Sequence, residues 1–83
     1  MRVRYFAWMK RTVGVPDEEV ALPAEVRTVG DLVAWLRGRS AGHAEALAEG
    51  AAFGAAVDQR TATFDASLVG AREVAFFPPF TGG

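Results

Sequence analysis

Val74-Ala75-Phe76-Phe77-Pro78-Pro79-Phe80-Thr81-Gly82-Gly83 is the stretch on which the reading of this 83-residue chain turns. Val74 to Phe77 are apolar and of β-preferring types, so residues 72 to 77 read as a strand. Val74 and Phe76 fall on one face and Ala75 and Phe77 on the other. A strand apolar on both faces belongs inside a sheet. Pro78-Pro79 stops it, because neither proline donates a ladder hydrogen bond and both hold φ near one value. The pair also stiffens the tail beyond it into an extended path. Four to six such residues reach roughly 13–21 Å, enough to enter a partner's cleft. Gly82 and Gly83 carry no side chains, fit a narrow channel and leave the last carbonyl open to attack.

Upstream, residues 2 to 9 read as a first strand, with Val3, Tyr5, Ala7 and Met9 on one face and Arg2, Arg4, Phe6 and Trp8 on the other. Phe6 and Trp8 are unusual for a solvent-facing row, so either another layer or a partner is expected to cover them. Thr12-Val13-Gly14-Val15-Pro16 breaks the strand, with Gly14 suited to a positive φ. Glu18 to Leu22 forms a second strand, antiparallel to the first, and Pro23 ends it.

Thr28 is placed to cap a helix, with Asp31 as its capping-box partner. Val29, Leu32, Val33 and Leu36 make one apolar stripe, predicting a helix over residues 29 to 39 that ends near Gly38 or Gly42. His43 to Glu49 reads as a second short helix burying Ala44, Leu47 and Ala48. His43, the single histidine, is expected to be exposed or capping rather than a metal ligand or general base. Phe53 to Val57 is a third strand, Asp58-Gln59 a tight turn, and residues 60 to 63 a short fourth strand. Asp65-Ala66-Ser67 starts a turn or one-turn helix, and Gly70 makes another turn before the last strand.

Strand, strand, helix, strand, short strand, strand is the β-grasp order. The expected fold is therefore α+β, a mixed sheet of four or five strands with one main helix on one face. The first and last strands pair in parallel at its centre. Residues 1–77 form the domain and 78–83 an extended tail. If Val74 and Phe76 meet the helix, Phe77 joins Phe6 and Trp8 on the open face, an aromatic patch of the kind that marks an interface.

Composition removes most alternative chemistries. The chain has no cysteine, which excludes iron–sulfur clusters, thiolate zinc sites, cysteine nucleophiles and disulfides. Nine basic and ten acidic residues give a net charge of −1, without the massed basic patch that nucleic-acid binding needs. The N-terminus lacks a signal-peptide apolar region, and no run approaches the ~20 residues of a membrane span. A cytoplasmic protein without nucleic-acid or membrane partners is expected. No triad, paired-carboxylate site or phosphate loop emerges. Asp58, Asp65 and Glu73 read as turn or surface residues. The reactive group left over is the main-chain terminus at Gly83.

Phe76-Phe77-Pro78-Pro79-Phe80-Thr81-Gly82-Gly83, preceded by Glu73-Val74-Ala75, resembles the C-terminal signature of the MoaD branch of the ubiquitin-like MoaD/ThiS sulfur carriers, the small subunits of molybdopterin synthase. Val3-Arg4-Tyr5-Phe6-Ala7, Thr12-Val13-Gly14 and Ala55-Ala56-Val57-Asp58-Gln59 resemble the same family in order and spacing. The match is looser from His43 to Ala52, and Asp58 stands where relatives often carry Asn.

The resemblance implies a mechanism. An E1-like, MoeB-type adenylyltransferase activates the Gly83 carboxylate as a glycyl-adenylate, and a sulfur donor converts it to a thiocarboxylate (1-thioglycine). A large MoaE-type catalytic subunit, in a heterotetramer, then uses that sulfur to build the molybdopterin dithiolene from cyclic pyranopterin monophosphate. No resident cofactor is implied. Gly82 and Gly83 are the reacting tip. Phe6, Trp8, Phe76, Phe77, Pro78, Pro79, Phe80 and Thr81 are expected to dock on partners. The alternatives are a sulfur carrier for thiamin thiazole, a ubiquitin-like modifier conjugated through Gly83, or a plain β-grasp binding module whose tail is inert.

Overall fold

The computed structural model describes residues 1–79. In chain order the elements are β1 (Arg2–Tyr5), α1 (Trp8–Val13), β2 (Asp17–Glu19), α2 (Val29–Arg37), α3 (Ala41–Ala46), β3 (Gly54–Val57), β4 (Arg60–Ala62) and β5 (Glu73–Phe77). Among the described residues the strands form one five-stranded sheet in the order β2-β1-β5-β3-β4. β5 runs parallel to β1, with Val3 beside Val74 and Tyr5 beside Phe76, and antiparallel to β3. The expected α+β β-grasp architecture is what the chain adopts.

The register sorts side chains by face, because directly paired residues point the same way. Val3, Tyr5, Val74, Phe76 and Ala55 share the inner face and are all buried. Val29, Leu32, Val33 and Leu36 of α2 pack against them, the stripe that the sequence spacing predicts. The helix starts where expected: the Thr28 side chain accepts a hydrogen bond from the Asp31 amide at 3.1 Å, and Asp31 accepts from the Thr28 amide at 3.2 Å. It ends at Arg37, with Gly38 as its C-cap. Asp58 and Gln59, with φ of 48° and 71°, make the tight β3–β4 turn in which both central residues take positive φ.

The first strand is shorter than expected. It stops at Tyr5, and Ala7 at φ 53° turns the chain into α1. Met9 is therefore buried from a helix rather than from the sheet, and Trp8 lies on α1, partly buried against the core. The short helix expected after α2, which is α3, also differs in its buried face. His43, Ala46 and Leu47 are buried at i, i+3 and i+4, while Ala44 is exposed. Among the described residues no helix is long and apolar enough to cross a membrane.

Candidate functional site

Among the described residues no helix covers the outer face of the sheet, which divides into two zones. Toward β2 it is charged. Arg2 Nη1 sits 2.6 Å from Asp17 Oδ1, Arg2 Nε 3.3 Å from Glu19 Oε1, and Arg4 Nη1 3.9 Å from Glu73 Oε1. These pairs are exposed or partly exposed to solvent, so each contributes little to stability. They order the surface rather than hold the fold together.

Across β5 and β3 the face is apolar. Ala75 lies between Arg4 and Ala56, and Phe77 lies beside Gly54. The Phe77 ring rests over Gly54 so closely that a Cβ there would come within 2.6 Å of Phe77 Cε1. Gly54 is thus a close-approach glycine, needed for the ring that lies across it. Phe6 follows β1, and its amide continues the ladder by donating to the Phe76 carbonyl at 3.0 Å. Its ring is 41% exposed, with the Arg4 guanidinium carbon 5.1 Å from the ring centroid. That cation–π contact holds the aromatic ring at the border of the two zones.

The sequence-derived residues separate into three groups. Phe6 and Phe77 share the outer face, and Pro78 and Pro79 continue from the end of β5, Pro79 exposed. Trp8 does not join them, because the turn at Ala7 carries it onto α1. Phe76 is fully buried on the inner face, stacked with Tyr5 at 6.2 Å and edge-on to Phe53 at 5.9 Å. It is a core residue here, and its side chain offers no surface for docking. Phe80, Thr81, Gly82 and Gly83 lie outside the described residues.

Asp58 has a local role. Its Oδ1 accepts from the amides of Arg72 and Glu73, both at 2.9 Å, fastening the β3–β4 turn to the start of β5. An Asn side-chain oxygen can accept the same bonds. The carboxylate here shapes the backbone from which the last strand departs.

A partly buried polar cluster on the inner face is not legible in the sequence. Glu18 Oε2 accepts from the Tyr5 hydroxyl at 2.7 Å and meets His43 Nε2 at 2.7 Å. His43 Nδ1 lies 2.7 Å from Ser40 Oγ, and Arg39 Nη2 lies 3.6 Å from Glu18 Oε1. His43 is only 7% exposed, against the expectation of an exposed or capping residue. The carboxylate explains its burial: Glu18, twenty-five residues earlier, supplies the partner that a buried imidazole requires. Burial raises the Glu18 carboxyl, but hydrogen bonds from His43 and Tyr5 and the charges of His43 and Arg39 together outweigh it and hold the group below the usual glutamate range. The Tyr5 hydroxyl is pushed up by burial, then by its bond to Glu18 and that residue's charge, against the opposing charge of Arg39.

Comparison with known proteins places this geometry in a family. The ThiS family profile matches residues 3–83. The molybdopterin synthase sulfur carrier subunit of Escherichia coli is 41% identical over 83 residues, covering 100% of this chain and 99% of that protein. Among solved structures, a putative molybdopterin converting factor subunit 1 from Pyrococcus furiosus superposes with a TM-score of 0.73 at 29% identity, covering 95% of each chain. Small archaeal modifier protein 1 from Haloferax volcanii shares the fold, with a TM-score of 0.72 at 23% identity over 96% of this chain and 97% of that one. With a sheet whose central strand leads directly into Pro78-Pro79, and a profile match that runs through the final glycine, this chain belongs to the ThiS family.

Proposed function

We propose that this chain is the sulfur-carrier subunit of a molybdopterin synthase and that its working group is the carboxyl of Gly83. The observation that carries the reading is the 41% identity, over the full length of the chain, to a protein of that function. The fold supports it. β5 is hydrogen-bonded on both sides, to β1 and β3, so the segment beyond it starts from the best-held strand of the sheet. Phe6 and Phe77 beside that exit offer an aromatic surface on which a large MoaE-type subunit and a MoeB-type adenylyltransferase dock in turn.

The chemistry starts from the terminus itself. A terminal carboxylate, with a pKa of about 3.3–3.7, is anionic at neutral pH and resists nucleophiles. Attack of its oxygen on the α-phosphate of ATP forms an acyl-adenylate and releases pyrophosphate. Sulfur at the sulfide level then attacks the Gly83 carbonyl carbon and displaces AMP, leaving the glycine as a thiocarboxylate. Where a donor persulfide delivers it, a thiol cleaves the acyl disulfide so formed and leaves as the mixed disulfide with the donor. The thiocarboxylate sulfur is a far stronger nucleophile than a carboxylate oxygen. In the large subunit's site it attacks the precursor pterin, water cleaves the resulting thioester to leave sulfur on the pterin and return the Gly83 carboxylate, and two such transfers complete the dithiolene. This chain's body positions the tip, and the pocket residues belong to the partner.

The test is the intact mass of the chain after incubation with ATP, the adenylyltransferase and a sulfur donor. Exchange of one oxygen for sulfur, confined to the C-terminal peptide, is expected, together with dithiolene formation when the large subunit and precursor are added. A chain that stays unmodified, or that accumulates as adducts on protein lysines, would overturn the reading.

A further inference from the structure

We infer that the Glu18 carboxylate is an acid-sensitive latch holding α3 onto the sheet, so that its protonation frees α3 before the rest of the domain unfolds. The inference does not depend on the proposed function and concerns groups that the sulfur chemistry does not use.

α3 has six residues, too few to be stable as an isolated helix, so its persistence depends on what holds it in place. Some of those ties are apolar and do not titrate. Ala46 and Leu47 are fully buried, and the Gly42 backbone lies against the Thr12 carbonyl at the end of α1. Arg37 Nε donates to the Leu47 carbonyl at the helix's far end. At its beginning, Ser40 caps the helix by accepting from the His43 amide at 3.1 Å.

The remaining tie is ionic and centres on Glu18. Its two oxygens engage residues on either side of the Ser40 cap, Arg39 through Oε1 and His43 through Oε2. Oε2 also accepts from Tyr5 on β1. One carboxylate on β2 therefore joins β1, β2 and the start of α3. An ionised carboxylate only accepts, so His43 Nε2 carries the proton of that bond, and the Ser40 hydroxyl is oriented to donate to Nδ1 when the ring is neutral. If His43 gains a second proton it becomes a cation beside an anion, and the contact persists. If Glu18 gains a proton, both charge-assisted bonds and the Arg39 attraction weaken together.

The sign is set by the depressed carboxyl. A group whose folded pKa lies below its unfolded value, about 4.3 for glutamate, adds stability above that value and loses it as pH falls through the folded one. The groups facing Glu18 are Tyr5 from β1, Arg39 from the α2–α3 connection and His43 from α3. The other carboxylates on or near α3, Glu45 and Glu49, are exposed, and Glu49 lies 4.0 Å from Arg37.

The test is amide hydrogen exchange by NMR on the full chain, corrected for intrinsic rates, from neutral pH to below Glu18's titration. Hydrogen bonds to a charged group contribute roughly 1.5–3 kcal/mol, so protection of the Ala44 and Leu47 amides is expected to fall about tenfold to a hundredfold on acidification. The Val3, Val74 and Phe76 amides of the central strands keep theirs over the same range. Glu18→Gln is expected to show reduced α3 protection already at neutral pH and no further loss in acid. Loss of protection by helix and sheet together would overturn the latch, and the wild-type titration alone decides that. So would a Glu18→Gln chain whose α3 keeps the wild-type pH response, which would assign that response to Glu45 or Glu49.

Discussion

The ring of Phe77 lies across Gly54, and only the missing side chain on β3 lets it do so. This relationship links a strand residue to a surface property. A methyl group at position 54 drives the ring edge away without disturbing the inner face, where Ala55 and Phe76 are packed. Gly54→Ala is therefore expected to leave the melting temperature within a few degrees, because alanine in a strand regains roughly 0.5–1 kcal/mol of the conformational cost of glycine. It is expected to weaken association with the large subunit by about tenfold or more, in the range of a lost aromatic anchor. Calorimetric titration beside a thermal melt checks both halves.

Adjacent phenylalanines on β5 separate fold from binding. Phe76 is fully buried between Tyr5 and Phe53, whereas Phe77 is half-buried on the outer face. Phe76→Ala is expected to cost about 3–5 kcal/mol, a large part of the ~5–15 kcal/mol that stabilises a domain. Phe77→Ala and Phe6→Ala are expected to change stability little and affinity for the large subunit strongly. Trp8→Ala, on α1 against the core, follows the Phe76 pattern. Urea unfolding of all four variants beside their binding constants gives the answer. A Phe77→Ala chain with unchanged affinity would remove the outer face from the interface.

The sequence is most informative where periodicity or turn chemistry acts alone. The stripe Val29-Leu32-Val33-Leu36, the Thr28–Asp31 box and the Asp58-Gln59 turn are local signals, while the central, parallel placement of the last strand follows from its two apolar faces and the order of the elements, and the structure carries each of them. It misleads at residues 6 to 9, where alternating side chains fit a strand as well as a short helix. The turn there depends on Ala7 taking a positive φ, which alanine seldom signals. Met9 and Val13 at i, i+4 are the one local hint of α1. His43 departs from expectation for a different reason. Its position three and four residues before Ala46 and Leu47 puts it on a buried stripe, but the partner that makes burial tolerable, Glu18, is on β2. Periodicity reports a face; it does not report a hydrogen-bond partner twenty-five residues away.

The start of α2 offers a stability test outside any interface. Thr28 and Asp31 exchange hydrogen bonds, and Asp31 also accepts from the Arg27 amide at 3.0 Å. The amides of Arg27 and Thr28 hold the Asp31 carboxyl below its usual range. Thr28→Ala is expected to cost about 1 kcal/mol, or roughly 4–8 °C in melting temperature for a domain of this size. The Asp31 contribution has a definite pH sign: present above the ordinary aspartate range and lost as pH falls through the depressed value. The melting gap between wild type and Asp31→Ala therefore narrows in acid, and thermal melts at neutral pH and near pH ~2 measure it.

The sharpest division is between the folded body and the last residue of the chain. Among the described residues the buried core lies at or before Phe76, and β5 ends at Phe77. Deleting Gly83 leaves every one of those core residues in the chain, so the truncated chain is expected to melt with the full-length one and to bind the large subunit through the same outer face. It loses the placement of the carboxyl. A one-residue retreat withdraws the terminus by about 3.3–3.6 Å, beyond the tolerance of a reaction that requires its atoms in near contact. Thiocarboxylate formation and dithiolene synthesis are both expected to fall to background, read by intact mass and by product assay. A Gly83-deleted chain that still carries sulfur and supports the product would move the chemistry away from the terminus and into the body of the domain.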